Sequence, residues 1–158
     1  MIEKSYLDKR EAHKGIIYKM INLYADDEED RKDLYQEIVF QSWSAYGRFK
    51  GDAKFSTWLY KLSLNVSLSF LSKQKKHNQV KDAGQFAHYF EPPELSERAD
   101  WLYRCIKQLT EIDRSIIMLH LDGFDNIEIS EMTGISRNNT NVKLHRIKQQ
   151  LTTLLTRK

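Results

Sequence analysis

The sequence predicts an all-α protein made of two small helical domains joined by a flexible linker, the second carrying a helix-turn-helix. Three observations point there. Apolar residues recur at helical spacing through both halves of the 158-residue chain, and no strand pattern competes. Both prolines fall together at Pro92-Pro93, inside a polar, aperiodic stretch from about Gln74 to Ser96. Near the C-terminus a short helical segment meets Gly134 and then a basic helix, the order of a helix-turn-helix. The expected divisions are a first domain over 1–73, a linker over 74–96 and a second domain over 97–158.

Element by element, Ile16, Ile17, Met20, Ile21 and Tyr24 define one helical stripe, and Leu34, Ile38, Val39 and Trp43 a second. Phe55, Trp58, Leu59, Leu62, Val66 and Phe70 define a third, with Ser56 as its expected N-cap and Gly47 and Gly51 supplying the preceding turns. After the linker, Leu102, Ile106 and Leu109 give one amphipathic helix. Arg114 to Leu121 gives another, closed near Gly123. Asp125 or Asn126 caps a short helix through Met132, Gly134 turns the chain, and Ser136 caps a last helix to about Leu155.

Charge is segregated, although the formal total is only +3. Asp26 to Glu37 carries seven acids against Arg31 and Lys32, and Glu91 to Asp100 is acidic as well. Gly47 to Asp82 carries eight bases against Asp52 and Asp82, and Ser136 to Lys158 has six bases and no acid. Two basic blocks imply two contacts with an anionic partner. The bland reading of each is a solvated helix face.

Other classes find little support. Five histidines (His13, His77, His88, His120 and His145) show no metal-ligand spacing. No glycine-rich phosphate loop or Ser-His-Asp order occurs either, so neither catalysis, metal nor cofactor is expected. Cys105 is the only cysteine, which fits a buried small residue in a reducing compartment. The longest apolar run, Ile116 to Leu119, is far below the ~20 residues of a membrane helix, and no signal core opens the chain. A cytoplasmic protein is expected.

On the last helix, Thr140, Leu144, Ile147, Leu151 and Leu155 share one face, which should pack inward. Asn138, Asn139, Val142, His145, Arg146 and Gln149 then face outward, and Arg137 and Lys143 complete its basic character. Asn suits bidentate bonding to adenine, Val suits a thymine methyl, and Arg suits guanine or phosphate. The arrangement reads as a DNA-recognition helix.

At this point a family resemblance becomes specific. Leu109, Arg114, Gly123, Gly134-Ile135-Ser136 and Leu144-His145-Arg146 resemble region four of bacterial sigma factors of the extracytoplasmic-function group. Asp33-Leu34-Tyr35-Gln36-Glu37, Trp43, Arg48-Phe49, Phe55-Ser56-Thr57-Trp58-Leu59 and Asn65 are similar to region two of the same family. The departures are Thr110 where relatives have Pro, Asn139-Thr140-Asn141-Val142-Lys143 on the recognition helix, and Ser69 and Leu71-Ser72 near the end of the third stripe.

The resemblance implies a promoter-specificity subunit that binds core RNA polymerase through its clamp helices and flap, and that opens promoter DNA. Asp33, Gln36, Glu37 and Trp43 would meet the clamp helices. Arg48, Lys50, Lys54, Trp58, Tyr60, Lys61 and Asn65 would meet the minus-ten element, and the last helix the minus-thirty-five element. An anti-sigma factor is a further partner of the family, and membrane contact would come only through it. In a melted strand a base can stack on a ring while lysines follow the phosphates. The expected ring is Trp58 or Tyr60, with Phe55 in the core and Tyr60 exposed because it lies off the apolar stripe. The alternative is a helix-turn-helix regulator that never enters polymerase.

Overall fold

The computed structural model describes residues 2–76 and 94–157, and every regular element among them is an α-helix. The chain divides into two units. The first holds α1 (Ile2–Ala12), α2 (Lys14–Tyr24), α3 (Glu28–Tyr46) and α4 (Phe55–Lys76); the second holds α5 (Glu97–Ile106), α6 (Glu111–Leu121), α7 (Asn126–Thr133) and α8 (Arg137–Leu155). Of the expected linker, Gln74 to Lys76 continue α4 and Ser96 caps α5, while residues 77–93 lie outside the described residues.

In the first unit α2, α3 and α4 pack on one another. Their stripes interlock as Ile17, Met20, Ile21 and Leu23 of α2, Leu34 and Ile38 of α3, and Leu59 and Leu64 of α4, all essentially sealed from solvent. Each such side chain contributes about 1.5–3 kcal/mol by leaving water. The acids around Asp26 have a local cause. Asp27 caps α3 by accepting from the Asp30 N–H at 2.7 Å, and Glu28, Glu29 and Asp30 occupy the first turn, where the helix dipole favours negative charge.

Helix α1 has no apolar stripe to announce it. Tyr6 is its one buried residue, and its hydroxyl lies 2.6 Å from Ser42 Oγ and donates to the Val39 carbonyl at 3.2 Å. Helix α4 starts two residues earlier than Ser56 capping requires. The Lys54 carbonyl accepts from the Trp58 N–H at 3.0 Å, so Ser56 is already inside the helix and the cap position falls to Lys54. Of the two loop glycines, only Gly51, with φ 79°, uses the left-handed region.

The second unit is built from local stop and start signals. Thr110 accepts from the Asp113 N–H and caps α6. Arg114 turns back to donate to the carbonyls of Lys107 (2.7 Å) and Leu109 (3.1 Å), satisfying the turn between α5 and α6. Gly123, with φ 95°, ends α6 in a Schellman motif: its N–H reaches His120 O and the Phe124 N–H reaches Leu119 O. Asp125 and Glu128 form a reciprocal capping box on α7, Gly134 turns at φ 77°, and Ser136 caps α8. Cys105, Ile106, Ile116, Leu119, Ile129 and Ile147 fill the core between them. Trp101 Nε1 donates to the Leu155 carbonyl at 3.4 Å and fixes α5 to the end of α8.

Candidate nucleic-acid and protein interfaces

The last helix presents the two faces its spacing predicts. Thr140, Leu144, Ile147 and Leu151 are buried, and Leu155 is half-buried. Arg137, Asn138, Asn139, Val142, His145 and Arg146 are exposed, and His145, Lys148, Gln149 and Thr152 line an open depression further along. Asn126 Nδ2 of α7 donates to Asn141 Oδ1 of this helix, and Ser130 Oγ donates to the carbonyl of Ile135 in the turn between the two helices. Lys143 differs from its neighbours. Its Nζ stands 3.9 Å from Asp113 Oδ1 on α6, which draws it toward the protein rather than straight outward. His120 on α6 is pulled below the ordinary imidazole range, first by burial and then by the Lys148 charge.

Around the start of α4 the aromatics are brought together. Tyr46, Phe49, Phe55 and Trp58 form a cluster, with Trp58 ring centroids 5.2 Å from Phe49, 5.5 Å from Phe55 and 6.2 Å from Tyr46. Lys9 of α1 lies 5.6–5.9 Å from the rings of Tyr46, Phe49 and Phe55, a cation–π position that sequence reading missed along with α1 itself. Phe55 is buried, as expected of a core ring, and Trp58 is half-buried.

Tyr60 corrects the expectation of an exposed ring: it is 3% exposed. The reason is the true inner face of α4, which runs through Leu59, Ser63, Leu64, Ser67 and Phe70. Ser63 and Ser67 are fully buried, and Ser67 Oγ donates to the Ser63 carbonyl at 2.7 Å, so small polar residues occupy positions an apolar pattern passes over. That rotates the buried face toward Tyr60. Lys54, Trp58, Lys61 and Asn65 instead follow one another at spacings of four, three and four, along the other side of the helix. Lys54, Lys61 and Asn65 are exposed, as are Arg48 and Lys50 in the loop before them.

A third surface lies on α3. Asp33, Gln36 and Glu37 are half-buried, and Gln41 Nε2 donates to Glu37 Oε1 at 2.9 Å. Trp43 is 39% exposed, its ring 5.2 Å from that of Tyr6, and Phe40 one turn earlier is 45% exposed. Phe40 extends the face beyond the expected residues. Its signal is the spacing of Gln36, Phe40 and Trp43 along one side of α3. Among the described residues no cluster of His, Cys, Asp and Glu could hold a metal ion, and no helix is long and apolar enough to cross a membrane.

Comparison with known proteins gives matches in both units. The family model described as Sigma-70 region 2 matches residues 10–77, and that described as Sigma-70, region 4 matches residues 99–151. The RNA polymerase sigma factor SigV of Bacillus subtilis is 26% identical over 141 residues, spanning 85% of this chain and 81% of the relative. The ECF RNA polymerase sigma factor SigW of the same organism is 23% identical, spanning 94% and 88%. Among solved structures, the sigma factor RpoE in complex with the anti-sigma factor NepR, from Bartonella quintana, aligns at a TM-score of 0.73. That match has 15% identity and covers 97% of this chain and 98% of that one. CnrH in complex with the cytosolic domain of CnrY aligns at 0.66 with 17% identity, covering 99% and 90%. At these identities the two structures speak to the fold alone.

Proposed function

Since the chain belongs to the extracytoplasmic-function group of sigma-70 factors, we infer that its surfaces divide the work of a promoter-specificity subunit of RNA polymerase. The protein binds core polymerase, recognises promoter DNA and directs initiation. The observation that carries this reading is the pairing, in one chain, of an exposed recognition helix with an aromatic and basic surface of a different kind, each within its own matched region. A separate helix-turn-helix regulator would account for α8 and leave the first unit without a task.

In our assignment α1–α4 form the region-two unit and α5–α8 the region-four unit. Arg137, Asn138, Asn139, Val142, His145 and Arg146 meet the minus-thirty-five duplex, with Lys143 joining when Asp113 releases it. Arg48, Lys50, Lys54, Lys61 and Asn65 meet the minus-ten strand around Trp58, where a base unstacked from the duplex finds a ring and flanking cations. Tyr60 belongs to the core in this assignment. Asp33, Gln36, Glu37, Phe40 and Trp43 form the face offered to the polymerase clamp helices, and a flap contact falls to the second unit.

The chemistry of nucleotide addition lies with polymerase, and no catalytic role falls to this chain. Its place of action is the cytoplasm, where polymerase and promoter meet. An anti-sigma factor is a further partner in this reading, as for the sigma factor RpoE described above with the anti-sigma factor NepR. The experiment is transcription by purified core polymerase, with and without this chain, on a pool of random promoter fragments. Initiation at a shared two-part motif is the expected result. DNA binding with neither core association nor initiation would overturn it in favour of the regulator.

A further inference from the structure

The recognition helix carries one exposed apolar side chain among polar and basic neighbours. Val142 is 49% exposed, and among the described residues it is the only large apolar side chain of α8 turned to solvent. Valine is a poorer helix former than Ala, Lys or Gln because its branched carbon loses χ1 freedom, so an exposed valine costs propensity and gains nothing from burial.

Its neighbours explain what the side chain meets. Asn138 and Asn139 lie four and three residues before it, and His145 and Arg146 three and four after it, all exposed on the same side. The residues immediately beside it are engaged with the protein: Asn141 accepts from Asn126, and Lys143 is drawn to Asp113. Val142 is therefore a stiff apolar tip within a ring of amide and basic groups. In the major groove the one apolar group on a base edge is the thymine C5 methyl.

We propose that Val142 is a specificity-determining residue that packs against a thymine C5 methyl group in the minus-thirty-five element, an inference that rests on the reading of α8 as the helix that enters that duplex. One helical turn rises about 5.4 Å, and base pairs stack about 3.4 Å apart. The thymine then lies within one or two base pairs of an adenine read by Asn138 or Asn139.

The test uses the full chain with core polymerase and the promoter recovered from the random pool. Each thymine of the upstream element is replaced singly by deoxyuridine, which lacks only the methyl group. The expected result is an affinity loss of about fourfold at one thymine, corresponding to the ~0.8 kcal/mol of one buried methyl-sized group. Val142→Ala should bind about fourfold more weakly and be indifferent to deoxyuridine at that thymine, with a melting temperature equal to or slightly above that of the parent because alanine is the better helix former at an exposed position. Val142→Thr, which keeps one methyl and the same shape, should retain part of the sensitivity. Indifference of the unmodified chain at every thymine would overturn the inference, as would an equal loss for Val142→Ala at the same thymine. Either result with initiation intact removes only this contact, whereas failure to initiate on any promoter removes the sigma reading itself.

Discussion

Replacing Trp58 with alanine separates the packing of this ring from the base stacking proposed for it. The side chain meets Phe49, Phe55 and Tyr46 at 5.2, 5.5 and 6.2 Å while remaining half-exposed. Three aromatic pairs at ~0.5–1.5 kcal/mol each, halved for the exposed part of the ring, give ~0.8–2.3 kcal/mol, and the apolar area the ring buries brings the loss to about 2–3 kcal/mol. That is below the ~3–5 kcal/mol of a fully buried Trp→Ala change. It shifts the folded-to-unfolded ratio roughly 30- to 160-fold and still leaves a domain of ~5–15 kcal/mol stability folded at 25 °C. If the ring also stacks on an unpaired base, promoter opening loses a further ~1–3 kcal/mol that duplex binding never contained.

Urea unfolding reads the first quantity, and permanganate reactivity of unpaired promoter thymines reads the second, with filter binding to the closed duplex as the reference. Trp58→Phe should retain most of the stability and part of the opening. A stability loss below about 0.5 kcal/mol would refute the packing argument. Loss of stability with normal permanganate reactivity would return the ring wholly to the core, and parallel losses in opening and duplex binding would exclude a strand-specific contact.

Two further outcomes follow from the second unit. Asp113→Asn releases Lys143, whose partner oxygen is buried and makes no hydrogen bond. With Lys143 a third exposed, stability should change by less than about 1 kcal/mol, while the salt dependence of duplex binding should steepen by about one phosphate contact. An unchanged slope would show that Lys143 is not held back. His120 is held below its ordinary range chiefly by burial and secondarily by Lys148, so folding favours its neutral form. Its contribution to stability is then complete above the unfolded value near about 6.5 and is lost as pH falls from there through the lower folded value. Lys148→Gln should raise the His120 titration seen by NMR only part of the way back. No movement in that titration would discard the Lys148 contribution, and a full return would discard burial as the larger cause.

What the letters revealed follows the range of the physics behind them. In the second unit the boundaries from the end of α6 onward were legible, because Asp125, Ser136, Gly123 and Gly134 act within a few residues of themselves through caps and positive φ, whereas α5 stops at Ile106, short of Leu109, and α6 begins at Glu111, ahead of Arg114. Helix α1 was not, since its one inward residue, Tyr6, is anchored by Ser42 more than thirty positions away. Nor was the direction of Lys143, which depends on Asp113 of another helix. The face of α4 is the most consequential case. Apolar letters alone put the stripe on Phe55, Trp58, Leu59 and Leu62, but Ser63 and Ser67 are part of the buried face because small residues let the neighbouring helices approach and Ser67 satisfies its hydroxyl on its own helix. The stripe is therefore rotated, Tyr60 turns inward, and Trp58 moves to the edge beside Lys54, Lys61 and Asn65. Of the two rings the sequence offered to a melted strand, the fold withdraws one. A base stacked here has to be tested at Trp58, the ring that the fold leaves half-buried beside exposed cations.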